Sequence, residues 1–161
     1  MAIWFQGCDI GCRGCCNPEL QPFVARHIVA QNQILDIARK SMDEYEIEGV
    51  TLIGGEPTLQ ASLNSLVREL KDIGLGIILF TGRDFEDLED SLTSFLDLVI
   101  DGRFVMEEQD HERNLIGSKN QRIIEVSDRY HDCLDWFTTT RPDYIEIDVQ
   151  DGTFITNGSA F

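Results

Sequence analysis

One local pattern, repeated along the chain, constrains its fold more than any other feature. A short apolar, β-branched run ends in a glycine-containing turn, and residues with helical spacing follow. Val50-Thr51-Leu52-Ile53 runs into Gly54-Gly55-Glu56-Pro57, after which Leu63, Leu66, Val67 and Leu70 recur at helical intervals through Ile73. Gly76-Ile77-Ile78-Leu79-Phe80 ends at Thr81-Gly82 and precedes a helix predicted over Phe85 to Phe95. Leu98-Val99-Ile100 ends at Asp101-Gly102. Upstream, Ala2-Ile3-Trp4-Phe5 reads as a first strand, and Ile34 to Tyr45 as a helix. Strands alternating with helices predict a parallel α/β sheet with right-handed crossovers. Downstream, Gln121 to Val126 predicts a fifth strand and Tyr130 to Phe137 a helix. Tyr144 to Val149 alternates polar and apolar residues and meets Thr153-Phe154-Ile155 across Gln150-Asp151-Gly152, a hairpin signal. A chain of 161 residues without a linker or repeat suits one domain spanning 1–161.

The strand ends are where such folds place ligands, and the first strand delivers the chain to an unusual loop. Gln6-Gly7-Cys8-Asp9-Ile10-Gly11-Cys12-Arg13-Gly14-Cys15-Cys16-Asn17-Pro18-Glu19 contains cysteines spaced C-x3-C-x2-C. Three thiolates on one short loop can wrap one compact metal centre. Three is one fewer than closes a structural zinc site or an ordinary electron-transfer cluster. A four-iron cluster held this way keeps one iron free to bind a small molecule. Zinc is the competing reading, with Cys133 joining Cys8, Cys12 and Cys15 as the fourth ligand. A disulfide framework is disfavoured, because the five cysteines are odd in number and mostly crowded together. At the second strand end, Gly54 and Gly55 allow close backbone approach to a ligand. Alone, Gly-Gly-Glu-Pro would be an ordinary turn; beside the cysteine loop it reads as part of one site.

Composition narrows the function classes. The net charge of −16 argues against nucleic acid and anionic membranes as partners. The acidic run Asp84 to Asp90 reads as a solvated face. No apolar run approaches the roughly 20 residues that span a bilayer, and the amino terminus lacks the basic and apolar regions of a signal peptide. Reduced cysteines and an oxygen-sensitive cluster fit a cytoplasmic location.

The cysteine loop and Gly54-Gly55-Glu56 together resemble the radical S-adenosylmethionine (SAM) superfamily. The chain is most similar to its small single-cluster activating enzymes, of the anaerobic ribonucleoside-triphosphate reductase and pyruvate formate-lyase types. Ile3 to Cys8, Gly14 to Glu19, Asp97 to Phe104, Gly117 to Arg122 and the closing Asp151 to Gly158 carry the likeness further. The resemblance implies a partial (β/α) barrel of about five or six mainly parallel strands with a C-terminal hairpin. It implies a 4Fe-4S cluster on Cys8, Cys12 and Cys15, with Cys16 and Cys133 unligated. The open iron would bind SAM, whose reductive cleavage yields a 5'-deoxyadenosyl radical, so that the cofactors and no side chain carry the chemistry. Gly54, Gly55 and Glu56 would meet the methionine ammonium, and backbone atoms of Gly14, Cys15 and Cys16 the adenine. Thr81 and Asp101, at later strand ends, would meet the ribose or methionine carboxylate or a cation beside it. The implied partners are a larger glycyl-radical enzyme, whose glycine loses a hydrogen atom, and an electron donor such as flavodoxin or ferredoxin. Two further readings stay open: radical chemistry on a small molecule, and a non-enzymatic iron–sulfur or zinc protein on the same fold. Gly14 stands where most of the superfamily has an aromatic residue, as in the ribonucleotide-reductase type, and Cys16 stands where an aromatic or a histidine is common.

Overall fold

The computed structural model describes residues 1–139, 145–150 and 153–158. Four strands pair in parallel in chain order: β1 (Ala2–Phe5), β2 (Gly49–Gly54), β3 (Gly76–Phe80) and β4 (Leu98–Asp101). A fifth, β5 (Arg122–Glu125), pairs antiparallel with β4, Asp101 opposite Arg122 and Leu98 opposite Glu125. Each strand adds to the same side of the last, so the five strands lie in chain order across one sheet. Among the described residues β1 and β5 form the two edges, and no pairing joins them. The hairpin consists of β6 (Ile145–Gln150) and β7 (Thr153–Gly158), with Ile145 opposite Gly158 and Gln150 opposite Thr153. Tyr144, Asp151 and Gly152 lie outside the described residues.

The two faces of the sheet have different fates, because alternate strand residues point to opposite sides. Val50, Leu52, Ile77, Leu79 and Val99 face the helices and are essentially fully buried. Helix α1 (Gln31–Tyr45) contributes Leu35 and Ala38 to that layer, and α2 (Leu63–Asp72) contributes Leu63, Leu66, Val67 and Leu70. Burying each such leucine or valine is worth about 1.5–3 kcal/mol. The opposite residues, among them Ala2, Trp4, Thr51, Ile53 and Phe80, line a cleft. Toward β5 that side is filled instead by Leu98, Ile100, Ile116, Tyr130 and Phe137.

Several boundaries differ from the sequence expectations. The first helix begins at Gln31 rather than Ile34, because Gln33 Oε1 accepts the Ala30 N–H at 3.0 Å and extends the ordered turn upstream. The second stops at Asp72, where Gly74 takes a left-handed φ of 96° and its N–H reaches Lys71 O at 2.8 Å. The helix expected over Phe85 to Phe95 is only a 3-10 turn, Phe85–Asp87, and a short α3 (Asp90–Thr93). Glu86, Glu89 and Asp90 would repel one another at helical spacing, and Arg122 pulls Glu86 away at 2.7 Å. The helix expected over Tyr130 to Phe137 is a 3-10 segment, Asp128–Cys133, followed by α4 (Asp135–Thr138). Among the described residues no helix is long and apolar enough to cross a membrane.

Candidate functional site

The cysteine loop leaves β1 and is closed at its neck by backbone pairing. Gly7 N–H donates to Leu20 O at 2.8 Å and Cys8 N–H to Gln21 O at 2.9 Å. Gln6 Nε2 reinforces the closure by donating to Glu19 O and Pro22 O at 3.2 and 2.6 Å. Within the loop, Cys15 N–H donates to Cys12 O at 3.3 Å. All five cysteines are free thiols; Cys8, Cys12 and Cys15 are half-buried, while Cys16 and Cys133 are exposed. Asn17 N–H donates to Cys15 Sγ at 3.4 Å and Asn17 Nδ2 to Cys16 Sγ at 3.3 Å. Local burial of the Cys16 sulfur, followed by its neighbour Cys15, pushes the Cys16 thiol pKa up.

Glu56 ties this loop to the strand ends. It follows the two glycines that terminate β2, and its side chain is almost completely buried. Oε1 accepts from Thr58 N–H at 3.1 Å, Thr58 Oγ1 at 2.7 Å and Thr81 Oγ1 at 2.7 Å; Oε2 accepts from Gly82 N–H at 2.8 Å. The carboxylate therefore pins the end of β3 to the end of β2. Its backbone N–H donates to Gly7 O at 2.8 Å and pins the cysteine loop to both. From the other side, Arg83 Nη2 holds both oxygens of Asp9 at 2.8 and 2.7 Å, and Arg83 N–H donates to Thr81 Oγ1 at 3.1 Å. The hydrogen bonds that Arg83 donates to Asp9 outweigh partial burial and raise the Arg83 pKa.

Gly55 has a packing reason for being glycine in addition to its place on the cleft. A Cβ there would lie inside contact distance of Gly7 O, and 2.8 Å from both Gly7 C and Leu20 O. The neck of the cysteine loop is by itself enough to keep this residue small. Gly54, with φ of 120°, is similarly pressed against the backbone of Trp4 and Phe5.

These contacts shape a cleft of about 590 Å³ at the carboxyl ends of the strands, within the size range of small-molecule sites. Cys8, Cys12, Gly14, Cys15, Cys16, Gly54, Gly55, Glu56 and Thr81 all line it. Asp101 does not. It is fully buried behind the wall, where Phe85 N–H donates to it at 2.8 Å and Arg122 pairs with it, leaving only its neighbour Gly102 on the cleft. The sequence reading missed the apolar wall of Trp4, Ile10, Phe80, Phe104 and Leu115. It also missed the Asp9–Arg83 pair. Residues 74 positions apart carry no local signal of meeting, whereas the outward positions of β1 and β3 do announce the wall.

The donor set suits an iron–sulfur cluster and SAM. Three half-buried thiols on one loop of the cleft match a four-iron cluster held by three protein ligands. Oε2 of Glu56 accepts one hydrogen bond and so has acceptor capacity left for a cationic group.

Comparison with known proteins agrees with this geometry. The chain is 28% identical over 130 residues to the anaerobic ribonucleoside-triphosphate reductase-activating protein of Vibrio cholerae, covering 75% of this chain and 84% of that protein. It is 28% identical over 134 residues to the protein of the same name from Haemophilus influenzae, with the same coverage of 75% and 84%. Residues 1–124 match the family described as 4Fe-4S single cluster domain, a span that holds the cysteine loop, the Gly54–Glu56 turn and all five strands of the main sheet except the last residue of β5. The chain belongs to that 4Fe-4S single cluster domain family.

Proposed function

We propose that this protein activates a glycyl-radical enzyme, such as an anaerobic ribonucleotide reductase, by removing a hydrogen atom from a backbone glycine of that larger partner. The observation that carries this reading is the convergence of Cys8, Cys12 and Cys15 with Gly54, Gly55 and Glu56 on one cleft. When bound there, a reduced 4Fe-4S cluster and SAM together supply the 5'-deoxyadenosyl radical that removes the hydrogen atom. Cys8, Cys12 and Cys15 would each hold one iron. Glu56, fixed by four hydrogen bonds, would present Oε2 to the methionine ammonium without needing to reorganise. Backbone groups of Gly14 to Cys16 would read the adenine edge. Thr81 acts through Glu56, because its hydroxyl already donates to that carboxylate and accepts from Arg83. Asp101 is a structural support behind the wall, where it accepts from Phe85 N–H and pairs with Arg122. The apolar wall excludes water from a reactive site, and the exposed Trp4 and Leu115 on the cleft would offer apolar contacts to a loop of another protein.

The test is anaerobic reconstitution with iron, sulfide, SAM, dithionite and a glycyl-radical protein. Deuterium placed on the partner's glycine should appear in 5'-deoxyadenosine as a glycyl-radical EPR signal grows. Coupled multiple turnover on a free small molecule, with no glycyl radical, would replace this reading with a biosynthetic one.

A further inference from the structure

We propose that the segment from Pro22 to Ala30 is the docking surface for a small acidic one-electron carrier protein that reduces the cluster; this rests on the function proposed above. The segment follows the 3-10 turn Pro18–Leu20 and adopts no regular structure before α1. It exposes four large apolar side chains within seven residues: Phe23 at 70%, Val24 at 46%, Ile28 at 89% and Val29 at 48%. An apolar patch of this kind on a chain so rich in charge marks an interaction site.

Three observations name the occupant. First, the segment is attached to the cysteine loop. Gln21 O accepts from Cys8 N–H, Pro22 O accepts from Gln6, and the Phe23 ring covers Gly7, where a Cβ would sit 2.9 Å from it. A protein seated here lies against the cluster loop. Second, none of Phe23 to Ala30 lines the cleft. A docked protein leaves the mouth free, as an electron donor must and a protein offering its own glycine does not. Third, residues 20–35 contain no Asp or Glu, the longest such run in a chain with 29 of them, and carry Arg26 and His27 in the middle. An acidic surface is repelled by most of this molecule and accepted here. The transfer itself is simple: the carrier loses one electron and the cluster gains it, with no bond made or broken.

The test uses cluster-loaded protein, wild type and the double variant Ile28→Asp/Val29→Asp, with Tyr45→Asp as a control on the exposed end of α1. Two readouts apply. One is affinity for a flavodoxin of net negative charge, by calorimetry. The other is the rate of cluster bleaching with reduced flavodoxin and, separately, with dithionite. The double variant should bind flavodoxin and be reduced by it at least about tenfold more weakly, the loss expected from one interface anchor. Dithionite reduction should be unchanged and the control normal. Equal flavodoxin rates in variant and wild type would overturn the proposal. So would an intact flavodoxin rate combined with lost affinity for the glycyl-radical protein, which would assign the segment to the substrate protein. Failure of wild type to cleave SAM with dithionite would instead refute the function beneath it.

Discussion

Replacing Gly55 with alanine separates two accounts of why the strand-end glycines are there. A ligand-approach account leaves the cluster intact and removes only SAM binding. The packing account makes the cysteine loop itself move. The added Cβ would meet Gly7 C and Leu20 O at 2.8 Å, where ordinary contact begins at 3.4 Å. These are backbone atoms, so the neck must retreat by at least ~0.6 Å, the difference between those two distances. Overpacking of this kind costs about 1–3 kcal/mol. Weakening of the Glu56 N–H to Gly7 O bond adds about 1 kcal/mol. A total of about 2–4 kcal/mol lowers Tm by roughly 4–16 °C for a chain of this size. Scanning calorimetry, iron content and SAM affinity should be measured on the same preparation. All three should fall together in Gly55→Ala. An unchanged Tm and a full iron complement with abolished SAM binding would refute the packing argument.

Three other outcomes follow from the same geometry. Cys8→Ala, Cys12→Ala and Cys15→Ala should each abolish the brown chromophore, while Cys16→Ala and Cys133→Ala keep it; loss with Cys133→Ala but not Cys8→Ala would point to the wrong ligand set. Arg83→Met, removing a pair that is about one-third exposed on the Arg83 side, should change stability by less than about 1 kcal/mol. It should nevertheless release iron to a chelator severalfold faster, and the reversed pair Asp9→Arg/Arg83→Asp should restore the slower rate. The backbone N–H of Arg113 and its side chain hold Asp110 down from 3.8 to about 2. The hydrogen bonds of this depressed carboxylate stabilise the fold fully above pH 3.8 and progressively less as pH falls toward 2. Acid unfolding of Asp110→Asn should therefore show a shallower dependence over that window than wild type, and an identical slope would exclude Asp110 as a contributor.

What the sequence made legible was local. The four parallel strands can be read from their apolar runs almost to the residue, since each ends at a glycine or acidic turn that also ends the pairing. The convergence of Cys8 and Gly55 was legible too, because parallel strands present their carboxyl ends to one side. What was hidden depends on partners distant in sequence. The direction of β5 is set by a long return from Gly102 to Arg122, and no periodicity encodes orientation. Arg113 secures that return by donating to the carbonyls of Ser118, Lys119 and Gln121. Asp101 looked like a ligand residue because of its place after a strand, but Arg122 claims it across the antiparallel pair. Thr81 and Glu56 lie on the cleft as their positions suggested, yet their mutual bond makes one the support of the other. The acidic stretch at Asp84 has helical spacing and fails as a helix, since charge repulsion and one distant arginine override the pattern.

The Asp9–Arg83 clasp also has a consequence for how the protein matures. Its partners are 74 residues apart, and the Glu56–Thr81 bond that supports it spans 25. Closing loops of that length is entropically expensive and slow, and it waits for the intervening parallel strands to associate. All three loop cysteines leave the ribosome long before Arg83 does. During synthesis the nascent chain therefore carries its thiols on a loop that can close at its neck but is not yet clasped to the strand ends. Iron loading belongs after translation of the third strand, and a nascent chain stalled before Arg83 should capture iron poorly despite having every thiol it needs.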